Sequence, residues 1–288
     1  MRVSKFPAAG TKEQASQFLI TIGGQSGNAA VALARLGART SYAGPLGGTD
    51  DEIANWVVAC LERERIDCRH VVRVPGGKSS VSLIMIDAAG EKMIATRRGE
   101  RLSGVRPADA AQAAATIDAV LLDNRYPDFV MPIAEAARQR GIARVLDFDY
   151  GAPADDPLLG ICTHVIASAE ALRDSTGLND MRAALPKLAE HHQGFLAVTD
   201  GPNGVYWVER GALRHMPAFK VDAVDTLGAG DVFHGAFTLR LVETNDVIES
   251  MRFAAATAAI RCTRFDGLTG AATRADVDEF LKQRSSPA

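Results

Sequence analysis

The chemistry this chain can offer centres on an acid that directly follows a glycine-rich turn. In Val224-Asp225-Thr226-Leu227-Gly228-Ala229-Gly230-Asp231, two glycines bracket Ala229 and a carboxylate comes next. The continuation Val232-Phe233-His234-Gly235-Ala236-Phe237 is an apolar, small-residue pattern suited to a helix packed closely on a sheet. Gly228 and Gly230 let the backbone turn tightly and approach a ligand, so successive N–H groups at the helix start can point at one anion. Phosphate is the natural candidate. A carboxylate beside phosphate is repulsive unless it faces a cation or accepts a proton. Spacing alone leaves two roles open for Asp231: general base toward an attacking hydroxyl, or complement to the helix dipole, worth roughly 0.3–1 kcal/mol.

The same stretch closely resembles the D-T-x-G-A-G-D signature of the PfkB carbohydrate kinase family, whose members have the ribokinase-like fold. The resemblance implies that Asp231 is the catalytic base and that Gly228, Ala229 and Gly230 hold the transferring phosphoryl group. Asp225 matches the residue that helps hold a monovalent cation in potassium-dependent relatives. By its residues, Gly23-Gly24-Gln25-Ser26-Gly27-Asn28 is a turn from strand to helix. It also resembles the family's G-G-x-x-x-N segment, which implies that Gly23, Gly24 and Asn28 contact sugar hydroxyls. The Asn28 amide supplies both a donor and an acceptor for that purpose.

Asp123-Asn124-Arg125-Tyr126-Pro127 and Asp147-Phe148-Asp149 resemble the ketohexokinase-like and sulfofructose-kinase-like branch of the family. In that branch Arg125 would reach the substrate, where a planar guanidinium can grip a sulfonate or phosphate in bidentate fashion. A surface arginine paired with Asp123 or Asp128 is the competing reading. Thr199, Gly201 and Gly204 match T-x-G-x-x-G, a turn lining the nucleotide phosphates, with an ordinary hairpin turn as the alternative. Ser168 stands where the family commonly has Asn in N-x-x-E, Ala171 replaces the Glu, and Glu170 lies beside it. Gly267 matches the loop glycine that borders the adenine. ATP, magnesium and potassium are the implied cofactors.

Relatives begin with a further strand carrying a sugar-binding Asp. Phe6-Pro7-Ala8-Ala9-Gly10 resembles the segment that follows that strand, so either the start is placed downstream or a central strand and one ligand are lost. This feature and the altered Ser168 region motivate one alternative, a degenerate, non-catalytic sugar or nucleotide binder.

These residues need a scaffold, and the pattern supplies one. With 288 residues, 47% of them hydrophobic, the chain can bury a sizeable core. A strand is expected at Phe18–Ile22 and a helix at Ala29–Leu36, stopped by Gly37. Thr40–Gly44 reads as a strand, 45–50 as a loop and Asp51–Arg65 as an amphipathic helix. Period-two runs across 69–98 read as antiparallel strands, which in ribokinase-like proteins form a small lid together with strands at about 12–22. From Pro107 onward helices and strands alternate, implying a mostly parallel sheet flanked by helices, with ligands beyond the carboxyl ends of the strands. The whole reads as a single α/β domain, residues 1–288. Gly76-Gly77-Lys78-Ser79 is not a P-loop, because Val72 stands where that motif needs glycine and no helix follows.

The net charge of −3 gives no general attraction to nucleic acid or to an anionic membrane. Cys60, Cys68, Cys162 and Cys262 form no C-x-x-C pair and read as free thiols. No secretory leader is apparent, and the uncharged run 14–34 is broken by Gln, Ser, Asn and Gly residues, so it is not a continuous apolar span. A cytoplasmic protein acting on a small-molecule sugar and ATP, pairing through its lid as a homodimer, is the resulting expectation. His191-His192 and His234 read as surface and packing residues.

Overall fold

The computed structural model describes residues 1–149, 151–265 and 267–285. Its elements are α1 (Gln25–Arg35), β1 (Ser41–Gly47), α2 (Glu52–Arg63), β2 (Asp67–Val74), β3 (Val81–Ile86), β4 (Lys92–Arg97) and α3 (Ala110–Ala114). The chain continues through β5 (Ala119–Asp123), α4 (Pro127–Gln139), β6 (Ala143–Phe148), α5 (Pro157–Ile161), β7 (His164–Ser168), α6 (Ala169–Thr176) and α7 (Met181–Ala189). It closes with β8 (Phe195–Thr199), β9 (Val205–Glu209), β10 (Ala212–Met216), α8 (Ala229–Thr244), α9 (Val247–Cys262) and α10 (Arg274–Ser285). No helix among the described residues is long and apolar enough to cross a membrane.

The main sheet has six strands in the order β10-β9-β8-β7-β6-β5. β5 to β8 are parallel, and β9 and β10 add an antiparallel edge. Alternation along each inner strand feeds two cores. Leu146, Phe148, Val165, Ala167, Leu196 and Val198 face one side, against residues of α4 to α7 such as Ala134, Leu159, Leu172 and Leu185. Val145, Ile166 and Ala197 face the other, against Phe233, Ala236 and Phe237 of α8 and Phe253 of α9. Each fully buried large apolar side chain contributes about 1.5–3 kcal/mol.

Several sequence expectations are corrected. Residues 12–22 form no lid strand. Gln17 makes a single bridge to Arg2, and Phe18 and Ile20 are 68% exposed. An extended run becomes a strand only against a partner edge, and this one has a single partner residue. Residues 69–98 are antiparallel only in β3 and β4. β2 pairs in parallel with β1, because α2 crosses over between them and a helical crossover makes its two strands parallel. Pro45 to Gly47 belong to β1, where an edge position tolerates proline. α1 begins at Gln25, four residues before Ala29, because Gly24 at φ 82° ends the extended chain there.

Small residues let α1 and α8 approach closely. A Cβ placed on Gly235 would lie 2.8 Å from the Ala29 carbonyl oxygen. Gly235→Ala must therefore separate the helices or distort them. It is expected to lower stability in urea unfolding by about 1–3 kcal/mol, the range for overpacking. An unchanged unfolding midpoint would show that the two helices are not in tight register.

Candidate active site

The carboxyl ends of the parallel strands place polar side chains along one edge. Asp123 of β5 is the register partner of Asp147 on β6, and Ser168 of β7 that of Thr199 on β8. Above this edge lies the amino end of α8. Gly228 caps it with φ 75°, in the left-handed region that glycine adopts without a Cβ penalty. A Cβ there would come 3.1 Å from Asn28 Nδ2. Ala229 N–H turns back to the Thr226 carbonyl at 3.3 Å. The amides of Gly228, Gly230 and Asp231 have no acceptor among the described residues. Free amides at a helix start are donors for an anion.

Asn28 Nδ2 donates to Asp231 Oδ2 at 2.5 Å, joining residues 203 positions apart. Asp231 is recessed but keeps accessible surface. Burial raises its pKa, opposed by the Asn28 hydrogen bond and by His234, with Asp149 and Asp123 pushing further up. A carboxylate shifted toward neutrality is a stronger proton acceptor.

Around this pair the residues expected to meet the sugar interlock. Ser26 donates its hydroxyl proton to Asp123 Oδ2. Arg125 donates its backbone N–H to Asp123 Oδ1 at 2.9 Å, its Nη2 to Asp149 Oδ2 at 2.9 Å and its Nε to Gln25 Oε1 at 3.1 Å. That last bond fixes the Gln25 amide, and its Nε2 is left buried without a partner among the described residues. Gly23 and Gly24 lead into α1, and no described residue stands within 4 Å of where their Cβ atoms would be.

Three residues matter more than their sequence positions suggest. His234, read from the sequence as packing, is 3% exposed. Its Nδ1 lies 2.7 Å from the Gly230 carbonyl, and its Nε2 lies 3.1 Å from the Ile166 carbonyl and 3.5 Å from Asp147 Oδ1. It ties the first turn of α8 to β6 and β7. Asp147 is buried, and its pKa is raised to about 7 by desolvation, with His234 opposing and Asp231, Asp149 and Asp123 adding. Asp123 binds two neighbours at once. The sequence shows these acids at strand ends, but which acids meet depends on strand register.

Among the residues expected at the nucleotide the geometry is plainer. Ser168 caps α6 by accepting the Ala171 N–H at 3.0 Å. Thr199 Oγ1 donates to the Ala167 carbonyl at 3.4 Å. Gly201 and Gly204, at φ 50° and 95°, flank a short helical turn after β8. Gly267, at φ 58°, sits over Thr21 and Leu19. No hydrogen bond among the described residues joins this group to Asp231. Asp225 is buried and ion-paired, Arg261 Nη2 lying 2.9 Å from its Oδ2.

With this geometry in view, the comparisons with known proteins decide the family. The model of the family described as pfkB family carbohydrate kinase matches residues 1–274. The chain belongs to the pfkB carbohydrate kinases. A deoxyribokinase from Salmonella typhi is 30% identical, covering 90% of this chain and 87% of its own. A ribokinase from Haemophilus influenzae is 28% identical over 97% of this chain and 94% of its own. A crystal structure of an Agrobacterium tumefaciens protein, classed provisionally as a ribokinase, superposes with a TM-score of 0.93 at 34% identity. It covers all of this chain, and this chain covers 94% of it. This pfkB member is an ATP-dependent sugar kinase with a ribokinase-like fold, and the non-catalytic alternative is not favoured.

The raised pKa of Asp231 sets a pH dependence. If Asp231 is the base, it must be unprotonated, so activity is present above its pKa and is lost as pH falls through it. The acidic limb of kcat/KM is expected above the ordinary Asp range near 3.9. His234→Gln removes an influence that lowers this pKa, so it should move the limb to higher pH. A limb unmoved in the variant would separate His234 from the base.

Proposed function

We propose that this kinase transfers the γ-phosphoryl group of magnesium-bound ATP to a primary hydroxyl of a ketose or pentose. The contact between Asn28 and Asp231 carries the reading, because it brings a hydroxyl-reading amide to the proton acceptor at the phosphate-receiving helix end. Asp231 takes the hydroxyl proton as the sugar oxygen bonds to phosphorus. The bond from phosphorus to the bridging oxygen then breaks and ADP departs. The amides of Gly228 and Gly230 meet charge on the transferring group. The side chain of Ala229 has no part in this, and its N–H is already engaged.

Among the described residues no three His, Cys, Asp or Glu side chains converge on a possible metal position. Magnesium is therefore taken as part of the nucleotide substrate, held through phosphate oxygens and waters. Ser168, Thr199, Gly201, Gly204 and Gly267 are the proposed nucleotide contacts.

Gly23, Gly24, Asn28 and Arg125 are the proposed sugar contacts, with Gln25 Nε2, unpartnered among the described residues, as an available donor. Arg125 is already neutralised by Asp149, and Asp123 and Asp147 lie close by, so an anionic sugar would have to displace an ion pair beside further carboxylates. A neutral sugar fits better. The hairpin of β3 and β4 serves as the lid. Val81, Leu83, Met93 and Ile94, each 41% exposed or more, give it apolar surface suited to pairing two lids in a homodimer.

Asp231→Asn is expected to lower kcat by about 10²–10⁴-fold, the scale of a lost general base, without changing the circular dichroism spectrum. Near-normal turnover in this variant would refute the mechanism. Across a panel of pentoses, ketohexoses and their sulfonated or phosphorylated counterparts, the neutral sugars should give the higher kcat/KM. Arg125→Ala should act mainly on KM. A preference for the anionic sugars that Arg125→Ala abolishes would reverse the assignment of substrate charge.

A further inference from the structure

Asp225, the position matching a cation ligand in potassium-dependent relatives, is already neutralised within this fold. Arg261, in the last turn of α9, donates Nη2 to Asp225 Oδ2 at 2.9 Å and Nη1 to the Arg264 carbonyl at 2.7 Å. Asp225 Oδ1 accepts the Leu227 N–H at 2.9 Å. The Cys262 carbonyl accepts the N–H groups of Val224 and Asp225 at 2.7 and 3.1 Å. The Arg261 and Asp225 side chains are 4% and 5% exposed. The carboxylate and carbonyl oxygens that could ligate a monovalent ion are thus engaged by N–H donors.

Charge balance points the same way. Lys92 of β4 donates Nζ to Thr226 Oγ1 at 2.6 Å. Burial holds its ammonium below the usual lysine range, with Asp225 opposing and Arg261 adding. Two cations thus face one carboxylate, and an incoming potassium ion would meet a site with excess positive charge. An arginine stays charged at any working pH, and a helix carboxyl end favours a cation.

We propose that Arg261 is a built-in replacement for a monovalent cation. Its guanidinium fixes Asp225 to Leu227, and through them the amides of Gly228 and Gly230, in the phosphoryl-receiving conformation. Arg261 touches no substrate and is a positioning residue. The proposal rests on reading those amides as the phosphoryl site. It predicts an enzyme indifferent to potassium.

The test compares the full chain in potassium chloride, sodium chloride and tetramethylammonium chloride at equal ionic strength, by initial rate and by melting temperature. The kcat is expected to agree within about twofold, with no melting shift beyond the common effect of ionic strength. Saturable activation by potassium, or a melting increase specific to it, would overturn the proposal. The melting comparison reads ion binding even if no tested sugar is phosphorylated, so failure of the functional reading remains distinguishable.

Arg261→Ala should lose roughly a hundredfold in kcat in tetramethylammonium chloride, the cost of a misplaced anion-hole donor. Potassium should recover part of that loss, and Arg261→Lys should restore more activity than Arg261→Ala. Full activity of Arg261→Ala without potassium would overturn the role. Should that variant fail to fold, Asp225→Asn combined with Arg261→Met removes both buried charges. The double variant is expected to fold and to lose kcat with the sugar KM unchanged, and an undiminished kcat would refute the inference.

Discussion

The close crossing of α1 and α8 is the constraint on which the site depends. Asn28 and Asp231 lie 203 residues apart in the chain and reach each other because the helices that carry them can touch. Gly235 against the Ala29 carbonyl sets that approach. A bulkier pair would part Asn28 from Asp231 even if every polar residue remained. Geometry of this kind has to be fixed to well under an ångström for proton transfer and phosphoryl transfer to coincide. The site therefore inherits its precision from apolar packing, and Phe233, Ala236 and Phe237 secure α8 on the sheet that supplies the other acids.

Parallel strands and helix ends then divide the work. The sheet brings Asp123 and Asp147 together by register, while α8 offers its amino end above them. His234 joins the two layers, its ring nitrogens meeting carbonyls of both α8 and β7. Buried carboxylates repel one another, and Asp123 and Asp149 raise the pKa of both Asp147 and Asp231. The fold accommodates them with an arginine, a histidine and an asparagine, each bonded to or facing a named acid.

Much of this was legible in the sequence, and what was hidden has a common cause. The glycine-acid run could be read because each position answers to local backbone geometry, and Gly228 does adopt the left-handed conformation. The short apolar runs of β5 to β8 were legible because strands buried on both faces need them. The edge strand β10, with sequence Ala212-Leu213-Arg214-His215-Met216, is largely exposed and carries no such signal. The Phe18-Leu19-Ile20 run had the right composition for a strand but lacked an edge to pair with. The roles of Asp123, His234 and Arg261 depend on partners from other elements. Arg261 finds its carboxylate 36 residues away, and a polar residue ending an alanine-rich helix looks like ordinary surface.

The residues around the Gly228 to Gly230 turn divide by charge, with carboxylates in excess around Asp231 and cations in excess around Asp225. Around Asp231, the carboxylates of Asp123 and Asp149 push up the pKa of both Asp231 and Asp147, which favours a site that accepts a proton. On the far side Arg261 and Lys92 flank Asp225. If the positive groups lay next to Asp231, they would lower its pKa and weaken it as a base. If the carboxylates lay behind the loop, they would repel the phosphoryl group that the amides must hold. Gly228 to Gly230 mark the boundary between these regions. On the proposed mechanism an alcohol gives up its proton on one side of them and phosphate charge is met on the other, within one turn of helix.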